Sequence, residues 1–78
     1  MKIVEVKYIK DYILECHFED GKVVTANFSD FLHNAKNPMT TQFLDKERFA
    51  KVQLFYGDLT WEDGQMDISC RSIRKGDF

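Results

Sequence analysis

Residues 12–28, YILECHFEDGKVVTANF, constrain the fold more tightly than any other stretch. They read as a β-hairpin whose loop length can be argued from parity. Side chains on a strand alternate between faces, so changing the loop by one residue exchanges the face that one strand offers its partner. With Asp20-Gly21 as a two-residue loop, Phe18 would meet Val23, Cys16 would meet Thr25 and Leu14 would meet Asn27, leaving both faces mixed. With Glu19-Asp20-Gly21 as a type I turn closed by a bulge, Gly21 takes positive φ. Phe18 then pairs with Lys22, Cys16 with Val24, Leu14 with Ala26 and Tyr12 with Phe28. Only this register collects the apolar side chains on one face; the other carries Ile13, Glu15, His17, Val23, Thr25 and Asn27.

The chain around this hairpin is short. Its 78 residues suffice for one core, and a chain of this size buries roughly 60% of its unfolded surface. We therefore expect a single small domain over residues 1–78. Apolar residues make up 44% and aromatic residues 14%, enough for a packed interior. The net charge of −2 argues against a surface that tracks a phosphate backbone, so no direct nucleic-acid binding is expected. The start of the chain opens straight into an alternating strand without a signal-peptide core. No apolar run approaches the roughly 20 residues of a membrane span. The expectation is a cytoplasmic protein without membrane contact.

Residues 2–10, KIVEVKYIK, read as a half-buried strand with Val4, Val6 and Tyr8 on one face, turning at Lys10-Asp11 into the hairpin. Ser29 is a candidate cap for a helical turn at Phe31-Leu32, and Pro38 marks an irregular loop. Asp45 caps a second short helix, Lys46 to Lys51. A fourth strand runs from Val52 to Tyr56 and a fifth from Leu59 to Trp61, with a turn at Gly57-Asp58. Trp61-Glu62-Asp63-Gly64 echoes Phe18-Glu19-Asp20-Gly21 and is read as the same turn chemistry, with Gly64 in the place of Gly21. After a short extended piece from Gln65 to Ile68, Ser69 caps a last helical turn through Ile73, Gly76 ends it, and Asp77 and Phe78 fray. Strands first, short helices later and no regular β-α-β alternation predict an α+β fold: an antiparallel meander and hairpins, about five strands, packed with two or three short helices.

Reactive chemistry finds little support in these residues. Cys16 and His17 are neighbours on a strand and point to opposite faces, and there is no C-x-x-C or helically spaced histidine pair, so a metal site with His33 and Cys70 is not expected. Cys16 reads as a small buried hydrophobe; Cys70 lies near Arg71 and Arg74, which could depress its pKa, although an exposed incidental thiol is the plainer reading. The late acidic residues Asp58, Glu62, Asp63 and Asp67 do not have the spacing of a calcium loop. Asp67 stands out, because alternation places it opposite Met66 and Ile68, free to hold the Ser69 turn or accept a backbone N–H. Trp61, the only tryptophan, is read as a core residue whose indole N–H meets a carbonyl, with an interface anchor as the competing reading. No catalytic residue, cofactor or metal is assigned; the positions singled out as interface or structural residues are Trp61, Gly21, Gly64 and Asp67.

Taken in order, Phe18-x-Asp20-Gly21, Phe28-Ser29-x-Phe31-Leu32, Phe43 and Phe49, then Trp61-x-Asp63-Gly64-x-x-Asp67-Ile68, resemble a family of small bacterial proteins known as domain of unknown function 2442. The resemblance runs from about Val4 to Ile73. It implies a cytoplasmic bacterial protein with no established catalytic activity. Some members are encoded beside a second small protein, and such pairs have been proposed as toxin and antitoxin. Some relatives carry a C-terminal helix-turn-helix domain; this sequence shows none, so DNA binding is not carried over. The family often has Asp where this chain has Asn27 and Pro where it has Cys70. The expected function is therefore a non-catalytic protein-interaction module, an antitoxin-like partner of another small protein. The alternatives are a homo-oligomer that buries the second face of the hairpin and a minor enzyme with an acidic site near Asp67, which would need a concave pocket around that carboxylate.

Overall fold

The computed structural model describes residues 1–78. The hairpin has the odd loop that parity requires. Strands β2 (Ile13–Phe18) and β3 (Val23–Asn27) pair Leu14 with Ala26 and Cys16 with Val24. Gly21 sits at φ +91 and donates its N–H to the Phe18 carbonyl, while the Phe18 N–H donates to Lys22 across the bulge. Leu14, Cys16, Phe18, Ala26 and Phe28 are all buried.

Strand β1 (Ile3–Lys10) completes a meander of order β1-β2-β3 but does not keep one phase along its length. Ile3 pairs with Phe18 and Glu5 with His17, so β1 advances two residues where β2 advances one. This bulge reverses the parity of the strand's first residues. Ile3 turns into the core at 2% exposure and Val4 turns out at 59%, contrary to the expectation that Val4 shares an inner face with Val6 and Tyr8. The start of β1 is held from both sides. The Glu19 N–H donates to the Lys2 carbonyl, and the Ile3 N–H donates to the Gly57 carbonyl.

The remaining strands form a second sheet, so there are six strands in two antiparallel sheets rather than about five. Strands β4 (Gln53–Phe55), β5 (Asp58–Trp61) and β6 (Met66–Ile68) pair in sequence order. The β4–β5 turn is Tyr56-Gly57, both at positive φ (50 and 87), which is the backbone of a type I′ hairpin. The β5–β6 connection does not reuse the first hairpin's turn. Glu62, Asp63 and Gly64 all have positive φ, and Trp61 pairs with Met66 across a four-residue loop.

The α-helices are short: three lie between the two sheets in the chain and one follows the second sheet. Ser29, expected to cap α1 (Ser29–Asn34), is instead its first residue; Phe28 holds the cap position without a side-chain hydrogen bond, and the Asn27 side chain accepts the Ser29 N–H. Asn37 accepts the Met39 N–H, so Pro38 begins helix α2 (Pro38–Thr41) instead of marking a loop; its missing N–H costs nothing at the first helical position. Asp45 caps α3 (Lys46–Phe49), as its sequence position predicts. Ser69 caps α4 (Cys70–Lys75), which Gly76 closes at φ +71. Phe78 does not fray: its ring stacks on Phe28 at 4.5 Å.

One cluster of 14 buried residues joins both sheets and the helices. At its centre Trp61 stacks on Phe49 and meets Phe28 and Phe43 at about 6 Å between ring centres. No polar or charged side chain is among the buried residues. Aromatic pairs of this kind contribute ~0.5–1.5 kcal/mol each beyond area burial.

Candidate functional site: the outward face of the second sheet

Alternation divides the second sheet cleanly. Leu59, Trp61, Met66 and Ile68 are buried on its inner side. Gln53 and Phe55 of β4, Asp58 and Thr60 of β5, and Asp67 of β6 share the other side, since Gln53 pairs with Thr60, Phe55 with Asp58 and Thr60 with Asp67. This face is concave. It bounds an open groove of about 640 Å³ that the Asp63-Gly64 loop closes at one end.

The groove is acidic. Asp58, Asp63 and Asp67 are among its 11 lining residues, and no lysine, arginine or histidine is. Two of the carboxylates hold hydrogen bonds within the chain. Asp67 Oδ1 accepts the Thr60 hydroxyl at 2.6 Å across the strand pair. Asp58 Oδ1 accepts the Cys70 N–H at 2.7 Å, fixing the start of α4. None of the three aspartates forms an ion pair. At the other end stands Phe55, 62% exposed, its ring edge-on to Tyr56 at 4.6 Å between centres.

The residues singled out in the sequence fall in different places. Asp67 lies in the groove, outward as alternation predicts, but the helix start it was a candidate to hold belongs to Asp58 and to the Ser69 hydroxyl. Gly64 lines the same groove, and a Cβ there would lie 3.9 Å from Asp67 Oδ2. Trp61 is on the opposite side of the sheet, fully buried, with its indole N–H donating to the Phe49 carbonyl at 2.8 Å; it is a core residue and presents no surface to a partner. Gly21 lies in the β2–β3 loop, next to the ion pair that ties Asp20 to Arg74 of α4. Gln53, Phe55 and Thr60 escaped attention in the sequence, although a two-residue turn at Tyr56-Gly57 would have placed them on one face by parity.

The cysteines are structural in character. Burial, with the nearby Glu15 charge, pushes the Cys16 thiol up to about 11. The Cys70 thiol is raised, not depressed: burial comes first, then a hydrogen bond to Asp58. Arg74, one of the two neighbours expected to lower it, is directed instead at Asp20, with nitrogen–oxygen distances of 3.0 and 2.7 Å. No three histidine, cysteine or acidic side chains converge as metal ligands. No helix is long and apolar enough to cross a membrane.

Comparison with known proteins agrees with the motif order. The chain belongs to the family described as protein of unknown function (DUF2442), which it matches over residues 3–78. No curated protein and no solved structure shows significant similarity to it.

Proposed function

We propose that this chain is a non-catalytic protein-interaction module that engages a partner through the outward face of its second sheet. One observation carries the reading. Tyr56 and Phe55, at 80% and 62% exposure, are the most exposed large apolar side chains apart from the terminal Met1; Phe55 lines the groove and the Tyr56 ring packs against it. Val4, exposed by the bulge, belongs to the strand whose start is bonded to Gly57 of the same hairpin. Clustered apolar side chains beside polar groups are the usual anatomy of a binding surface. The partner is a second small protein, with this chain as the antitoxin-like half of the pair. The outer face of the first sheet is a weaker candidate. Val23 is exposed there, but Ile13 is half-buried and Glu15 and His17 bind each other at 2.6 Å.

A catalytic use of Asp67 would have the concavity it needs. The groove's hydroxyls are Thr60, which donates to Asp67, and Ser69; no histidine lines it to activate either one, and Asp67 and Asp58 each hold a structural hydrogen bond. Affinity capture from the native host tests the interaction. Wild type should retain one stoichiometric partner, and Phe55→Ser/Tyr56→Ser should lose it while melting at the same temperature. Recovery of the chain alone, with a self-associated species in sedimentation velocity, would favour the homo-oligomer instead.

A further inference from the structure

The chemistry of the groove restricts the partner further, on the premise that this face is the docking surface. We infer that it receives an extended, basic segment of the partner protein, with cationic side chains two residues apart. Charge is the first argument. The whole chain is nearly balanced, with 13 acidic and 11 basic residues. Yet three aspartates line the groove and no cation does, and none of the three is neutralised by an ion pair elsewhere. Asp67 accepts the Thr60 hydroxyl, and Asp58 accepts the N–H and the thiol of Cys70; a carboxylate has about four lone-pair sites, so each keeps capacity for a ligand's donor.

Spacing is the second argument. Asp67 is directly opposite Thr60, and Asp58 is two residues before Thr60 on the same strand. Such diagonal positions are about 7–8 Å apart. Alternate side chains of an extended peptide leave the same face at a spacing of about 6.6–6.8 Å. Two basic residues in an x-Arg-x-Arg-x pattern therefore reach both carboxylates at once, whereas adjacent arginines point to opposite sides. The exposed Phe55 ring, paired with Asp58, offers a face on which one guanidinium can stack.

Titration of isotope-labelled full-length protein with acetyl-Gly-Arg-Val-Arg-Gly-amide, followed by amide NMR shifts at low salt, tests this. Shifts should concentrate on residues 53–60 and on Asp67, and weaken as salt is raised. The charge-matched peptide acetyl-Gly-Arg-Arg-Val-Gly-amide should bind more weakly. Phe55→Ala/Asp67→Asn should weaken the first peptide by about fivefold or more, the combined effect of one stacking and one charge contact. Equal binding of the two peptides, shifts spread over the whole surface, or no binding would overturn the inference. So would the same shifts produced by spermidine or magnesium chloride alone, which would assign the face to a small cation. Failure here with successful partner capture would leave the docking surface standing and remove only its basic ligand.

Discussion

A methyl group added to Gly57 would lie 2.6 Å from Cβ and 2.7 Å from Cγ of Lys2, at a backbone φ of +87. Both the conformation and the contact reject a side chain, because Lys2 is itself held by the Glu19 loop. Gly57→Ala should cost about 1–3 kcal/mol, read as a fall in melting temperature of ~4–8 °C for each kcal/mol. An unchanged melting temperature would mean that the two sheets are not fastened at this point. The thiols make a second test at the same scale. A disulfide-exchange reagent should titrate at most Cys70 in the folded protein and both cysteines in denaturant, since Cys16 is fully buried and its thiolate disfavoured. Rapid reaction of both would contradict the packing of β2 against the core. Residue roles were legible where one side chain acts on its own neighbourhood. Asp45 and Ser69 cap helices as their positions suggest. Asp58 was not legible in this way, because the N–H it accepts belongs to a residue 12 positions away.

At the scale of elements, the β2–β3 hairpin was fully readable, because a one-residue error would have inverted its faces. The bulge in β1 was not. Its cause is tertiary: the Lys2 and Ile3 backbone is bonded to the Glu19 loop and the β4–β5 turn, and no local pattern announces either. The hairpin is also linked to α4 through Asp20 and Arg74, with the guanidinium over the Phe18 ring. The hydrogen bond from Arg74, helped by the Lys22 N–H, holds the Asp20 carboxyl down to about 2, against an ordinary value of 3.8. A carboxyl depressed by folding contributes stability above its unfolded pKa and loses it as pH falls through the folded value. Acid unfolding of wild type should therefore steepen between about pH 4 and pH 2. Asp20→Asn should flatten that interval without altering the slope near neutrality. Identical acid profiles for the two proteins would show that this ion pair is too well solvated to matter.

At the scale of the molecule, two small sheets turn their apolar faces to one aromatic core and their other faces outward. The α+β class followed from element order. The second sheet was only half visible, because β6 spans three residues, Met66 to Ile68, too few to display a period. Its outward face was the part least open to sequence reasoning. Gln53, Phe55, Asp58, Thr60 and Asp67 come from three strands and become neighbours only through register. This face, with the Phe55-Tyr56 hairpin tip, is the surface we propose another protein binds. Amide hydrogen exchange of the chain alone and in its captured complex measures that directly. Slowed exchange should be confined to residues 53–60, 63–67 and the start of β1 around Val4. Slowed exchange on the outer face of β2 and β3 instead, with residues 53–60 unchanged, would contradict it.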